Sequence, residues 1–138
     1  FGEALVIVND VCKKDFRYME KQTGAMLAKG RLLGLQFETL FTDELYFKIS
    51  SHAIEIAFKI ADALKENGVK FLSEPISNQI FPIFTNEVIK KIEEKYVISF
   101  WEKVDEEHSA IRICTSWATK MENADKIIED ILNIIKEK

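Results

Sequence analysis

Cysteine is scarce. Cys12 and Cys114 are the only two in 138 residues, and they lie too far apart for a metal-ligand spacing. A disulfide framework is excluded, and the pattern points to a reducing, cytoplasmic setting. Proline occurs twice and glycine five times, and no internal repeat or low-complexity tract interrupts the chain. No apolar run approaches the roughly 20 residues needed to cross a bilayer, and nothing reads as a secretory signal. An excess of one charge is missing too. The 19 basic and 23 acidic residues are interspersed and leave a formal net charge of -4, so nucleic acid, which favours a basic patch, is a poor partner. What is there is 47% hydrophobic, the share of an ordinary globular protein. The length can bury a real core, in one domain or one domain plus a piece of another.

The chain has no initiator methionine and enters a β-branched run, Ala4-Leu5-Val6-Ile7-Val8, almost at once. Such a run reads as a strand covered on both faces. A strand with no neighbours of its own implies that its partners come from elsewhere, so the chain is expected to be a piece of a longer protein.

Asn9 and Asp10 can cap a helix reaching about Gln22, and a second apolar helix is expected from Ala25 to Leu40. Gly30 and Gly34 within it predict close backbone packing, because glycine weakens a helix by about 1 kcal/mol each. Thr42, with Asp43 and Glu44 in the first turn, suits a helix start. Leu45, Ile49, Ala53, Ile56, Ile60 and Leu64 recur at spacings of three or four as one stripe, and Asn67-Gly68 supplies the stop. Beyond Val69 the period shortens. Strands are expected over Val69 to Leu72, Gln79 to Phe84, Val97 to Trp101 and Ile111 to Ser116, with a short helix capped by Thr85 and a charged loop from Glu102 to His108. In the last strand Ile111, Ile113 and Thr115 face one way, Arg112, Cys114 and Ser116 the other. Thr119 and Glu122 form a candidate capping box for a final helix bearing Ala124, Ile127, Ile128, Ile131 and Ile135. The main seam falls at Phe41-Thr42, and the natural architecture after it is a two-layer α/β sandwich with helices on one side of the sheet.

Arg112 is the most informative residue. A guanidinium inside a β-branched strand is costly unless an anion meets it, and its planar fork suits a carboxylate. The alternative is a solvated sheet face carrying a surface arginine. Lys29-Gly30-Arg31 invites a phosphate, but lysine and glycine come in the wrong order for a P-loop and no Ser or Thr follows. The pair either meets a phosphate in an assembled enzyme or belongs to a solvated face. His52 falls on the buried side of the long helix and suits a packed, hydrogen-bonded role; His108 lies in the polar loop and reads as solvated. No nucleophile triad and no metal-ligand cluster can be assembled. Trp101 and Trp117 read as core or interface aromatics.

Taken together, five stretches resemble the latter part of threonine aldolases and related β-eliminating lyases. They are Gly2 to Val8, Phe16-Arg17-Tyr18 to Gly34, Ser51-His52-Ala53, Ser77-Asn78-Gln79-Ile80-Phe81, and Ile111-Arg112-Ile113-Cys114-Thr115-Ser116-Trp117. These enzymes use pyridoxal phosphate (PLP) and have the aspartate-aminotransferase fold. The resemblance implies that residues 1–41 are the end of a large cofactor-binding domain and residues 42–138 a small α/β domain. The lysine forming the Schiff base would lie upstream of Phe1, so this chain alone would hold no catalytic residue and be inactive. Lys29, placed in the second helix, is not that lysine. The family's carboxylate-binding arginine maps onto Arg112. Gly24 matches a glycine break near a neighbouring subunit's cofactor, with Lys29 beside it as a weaker candidate. Asn78 and His52 match structural positions. The implied reaction is cleavage of a β-hydroxy amino acid to glycine and an aldehyde, in a homodimer or homotetramer. An aromatic amino-acid lyase or aminotransferase stays open, as does a free-standing, non-catalytic α/β module that dimerises or binds a small anion.

Overall fold

The computed structural model describes residues 4–137. The chain divides into two compact units, Phe1–Tyr46 and Phe47–Lys138, and each is described by itself.

The first unit departs most from the sequence pattern. Residues 4–8 form no strand and lie largely exposed, Val6 and Val8 among them. The physical reason is pairing: a strand needs a neighbour's amides and carbonyls, and among the described residues none is offered. Gly2 and Glu3 lie outside the described residues. The Asn9 carboxamide accepts from the Val11 amide at 3.0 Å, but the turn it caps is a single 3-10 turn over Asp10–Lys13. Asp15, at φ 56°, breaks the path before α1 (Phe16–Gln22) begins. One long helix to Gln22 is therefore not formed.

Gly24 ends α1 by a C-terminal motif that its sequence position suits. Its φ is +76°, its amide donates to Lys21 O at 3.2 Å, and the Ala25 amide donates to Glu20 O at 2.9 Å. That pair of bonds is the double closure of a helix stopped by a left-handed glycine. The next helix, α2 (Arg31–Phe41), starts six residues later than the expected Ala25, with Gly30 at its N-cap. Lys29 thus sits in a turn, not in a helix. Nor do Gly30 and Gly34 mark close packing: a Cβ at either would meet nothing within 4 Å. Thr42 closes α2 rather than opening the next helix, its hydroxyl donating to Glu38 O at 2.7 Å. Asp43 and Glu44 then take positive φ values of 51° and 59°, a reversal that no capped helix start requires.

The second unit follows the pattern closely. Helix α3 (Leu45–Glu66) buries Ala53, Ile56, Ile60 and Leu64, the later part of the stripe read from the 3.6-residue period. Its first two members differ, Leu45 being exposed and Ile49 half-buried. It stops at Gly68, φ +83°, with Gly68 N–H on Lys65 O at 2.9 Å and Val69 N–H on Leu64 O at 3.0 Å. The strands are β1 (Lys70–Phe71), β2 (Gln79–Ile80), β3 (Pro82–Thr85), β4 (Ser99–Lys103) and β5 (His108–Cys114), all antiparallel where paired. Strands β2 and β3 flank β5 on one side in a single continuing register, and β4 flanks it on the other. The break between them falls at Phe81, before Pro82, whose missing amide suits the first position of a strand.

Helix α4 (Asn86–Glu93) is capped by Thr85, whose hydroxyl accepts from the Val88 amide, as its sequence predicts. The final helix, α5 (Met121–Lys136), begins at Lys120 without a side-chain cap. The expected Thr119–Glu122 box is absent because the Thr119 hydroxyl already accepts from the Ser116 amide at 2.9 Å. The three helices cover one face of the sheet. Ile56, Leu64, Ile80, Ile92, Ile111 and Ile131 are fully buried in one cluster, each worth about 1.5–3 kcal/mol of burial. This is the two-layer α/β sandwich expected from the alternation of periods.

Candidate functional site

The alternation of β5 decides what each face presents. Ile111, Ile113 and Thr115 point into the core, while Arg112 is half-buried and Cys114 exposed on the other face. Across the strand on one side lies Ser99 of β4, paired with Arg112. On the other side the continuing β2–β3 register sets Phe81 opposite it. Trp101 is the extra residue of a β-bulge in β4, between the Phe100–Ile111 and Glu102–Ala110 pairs. Its ring lies 4.8 Å from that of Phe81 and 5.5 Å from the Arg112 guanidinium carbon.

Around Arg112 the polar accounting is incomplete. Its Nε is buried and finds no hydrogen-bond partner, and no carboxylate among the described residues pairs with it. It is the missing carboxylate, not the enclosed Nε, that leaves room for a ligand. A cation without a counter-charge on a partly apolar face is costly, and its terminal amino groups suit an anion with two oxygens.

The end of β5 is anchored from behind. The Thr115 hydroxyl donates to Ala53 O of α3 at 2.6 Å, and the Asn78 carboxamide donates to Thr115 O at 2.7 Å while the Thr115 amide donates to Asn78 O at 3.0 Å. His52 Nε2 stands 2.9 Å from Thr119 O; a carbonyl only accepts, so Nε2 carries the proton. Asn78 therefore holds the end of the strand that carries Arg112, while His52 holds the loop that follows it, a packed role of the kind its helix position suggested. His108 is not simply solvated. It opens β5 and its Nδ1 lies 2.9 Å from Asp105. That contact, then the Glu107 amide and the His108 amide, hold the Asp105 carboxyl below its usual range.

A second charged knot joins α5 to the segment before β4. Asp130 accepts from the Tyr96 hydroxyl at 2.5 Å and from Lys95 and Lys126 at 3.0 Å each. The Tyr96 bond first, then Lys126 and Lys95, pull Asp130 well below the usual carboxylate range. Burial first, then the Asp130 bond and its charge, push Tyr96 up to about 12.

In the first unit Lys29 and Arg31 are exposed beside the start of α2. The first intrahelical bond there runs from the Gly34 amide to Gly30 O, which leaves the Arg31, Leu32 and Leu33 amides open. Two cations and free helix-start amides suit a phosphate in charge and in donors. The glycine at 24 has its own structural reason, the stop of α1. Sequence reasoning missed Phe81 as a neighbour of Arg112, and it read Trp101 as a core or interface aromatic without placing it beside the guanidinium. Trp117, also read as core or interface, is 70% exposed. Among the described residues there is no group of His, Cys, Asp and Glu that could hold a metal ion, and no helix long and apolar enough to cross a membrane.

The second unit is thus a small α/β sandwich presenting one unpaired arginine on an aromatic-lined sheet face. No family model and no curated protein matches the chain. Among solved structures it is similar to the threonine aldolase of Leishmania major, at 33% identity and a TM-score of 0.82, over 94% of this chain and 38% of that one. The chain is therefore threonine-aldolase-like over nearly all its length, and its mixed α/β fold is that of part of a PLP-fold enzyme. It spans 38% of the length of the solved structure it matches.

Proposed function

We propose that this chain is the carboxy-terminal part of a PLP-dependent lyase of the threonine-aldolase type, which cleaves a β-hydroxy amino acid to glycine and an aldehyde. Arg112 holds the substrate carboxylate. The observation that carries this reading is a guanidinium with no carboxylate partner among the described residues, on an aromatic-lined face, in a chain 33% identical to a threonine aldolase. When bound, PLP supplies an electron sink for the bond broken at the amino acid's α-carbon. Lys29 and Arg31, at the turn that follows Gly24, are this chain's donors toward its phosphate. Arg112 contributes orientation: fixing the carboxylate fixes which bond at the α-carbon is aligned for cleavage. The lysine that binds the cofactor belongs to sequence before Phe1, and this chain alone is inactive. Residues 1–41 are the end of the cofactor domain and residues 42–138 the small domain. The protein is cytoplasmic and works as a homodimer or homotetramer, a reading supported by the exposed apolar side chains Val6, Val8, Val11 and Tyr18.

Arg112→Ala in the enzyme that carries this chain tests the proposal. Removing one partner of a desolvated charge pair costs about 2–5 kcal/mol, or roughly 30-fold to several-thousand-fold in kcat/KM. Arg112→Lys recovers only part, since a point charge cannot form the fork. Steady-state kinetics on a β-hydroxy amino acid reads the result. A near-wild-type kcat/KM in Arg112→Ala, with cofactor bound, ends the carboxylate assignment.

A further inference from the structure

Strand β4 and the β2–β3 arm flank β5 on opposite sides, so their side chains meet only by reaching over it. Trp101 and Phe81 do so, at 4.8 Å between ring centroids. In regular sheet geometry those two strands stand roughly 10 Å apart. The bulge at Trp101 is what permits the reach: the extra residue has no cross-strand partner, and bulges turn a side chain away from its regular direction. The two rings close over the strand where Arg112 stands, with the indole 5.5 Å from the guanidinium carbon. Arg112 Nε is buried there without a hydrogen-bond partner, and neither terminal amino group is enclosed in that way. A ligand oxygen cannot reach a nitrogen that has no accessible surface.

Building on the carboxylate reading of Arg112, we infer that Trp101 is its positioning residue and that the carboxylate is met end-on by the two terminal amino groups, never side-on through Nε. The indole face attracts the cation and supports its plane. Phe81, tilted against the indole, holds that ring in place. The buried Nε then cannot take part, and the fork has a single direction.

Two measurements test this. In the ¹⁵N-labelled chain, the Arg112 Nε–H signal persists against exchange with water, unmoved by Trp101→Phe and lost in Trp101→Leu. An Nε–H that exchanges equally fast in all three overturns the inference, whatever becomes of the carboxylate assignment. In the enzyme that carries this chain, Trp101→Leu lowers kcat/KM roughly 2- to 30-fold, mostly through KM, and Trp101→Phe restores most of it. In an Arg112→Ala background the same Trp101→Leu change has no further effect. An equal loss in both backgrounds overturns the positioning role. Should Arg112→Ala itself be silent, the carboxylate reading falls, and the exchange experiment still decides whether Trp101 covers Nε.

Discussion

Two substitutions at the base of β5 each delete one side-chain donor, yet they are expected to cost different amounts. In Thr115→Val the lost donor is the Thr115 hydroxyl, which serves Ala53 O at 2.6 Å and, more weakly, Asn78 O at 3.3 Å, at a residue only 3% exposed. Asn78 O retains the Thr115 amide at 3.0 Å. Valine keeps the shape. Ala53 O lies inside α3 and still accepts from the helix's own ladder, so no buried acceptor is stranded. The cost is that of one net hydrogen bond, about 1 kcal/mol. In Asn78→Ala the lost donor serves Thr115 O at 2.7 Å, and that carbonyl, past the end of β5, accepts from no other donor among the described residues. An acceptor left unpaired costs about 1–3 kcal/mol, with the loss of packing on top. Urea unfolding followed by far-UV circular dichroism reads both. The expected order is Asn78→Ala well below Thr115→Val, with Thr115→Val lowering stability by no more than about 1.5 kcal/mol. Equal losses, or a larger loss for Thr115→Val, would refute the reasoning that stranded acceptors set the cost.

Glycines give a second contrast. Gly68→Ala forces a Cβ into a left-handed backbone with open space around it, so it destabilises by about 1–2 kcal/mol, whereas Gly34→Ala, in the open face of α2, stabilises by about 0.5–1 kcal/mol; thermal melts showing the same sign for both would contradict the backbone account. The Asp130 knot makes stability depend on pH at both ends. Asp130 is depressed in the fold, so its contribution is present above the ordinary carboxylate pKa and is lost as pH falls below about 4. Tyr96 is raised from 10.0 to about 12, so its contribution is full below pH 10 and is lost as pH rises toward 12. Asp130→Asn should flatten the acid limb and Tyr96→Phe the alkaline one, and unchanged limbs in denaturant titrations across pH would show that the knot does not form. Finally, PLP added to the isolated chain and trapped with borohydride should leave Lys29 unlabelled at stoichiometric level, since Lys29 stands exposed in a turn; peptide mapping that finds it fully modified would reverse its assignment to the phosphate.

The sequence by itself determined the second unit. A 3.6-residue stripe from Ala53 to Leu64, a glycine stop at 68, a cap at Thr85 and the alternation from Ile111 to Thr115 each had a local physical cause, and each survives folding. They also singled out Arg112, because a charge inside a β-branched strand is conspicuous without any structure. Tertiary structure decided the rest. Residues 4–8 carry strand propensity but form no strand, because pairing needs a neighbour that propensity cannot supply. Thr42 and Thr119 read as helix starts, yet their hydroxyls serve Glu38 O and the Ser116 amide instead. The surroundings of Arg112 were illegible for a related reason. Phe81 and Trp101 lie 31 and 11 positions from it in the chain, and only a sheet register and a one-residue bulge bring their rings over its stem. Register and bulges arise from pairing between distant segments, and no periodicity within one segment encodes them.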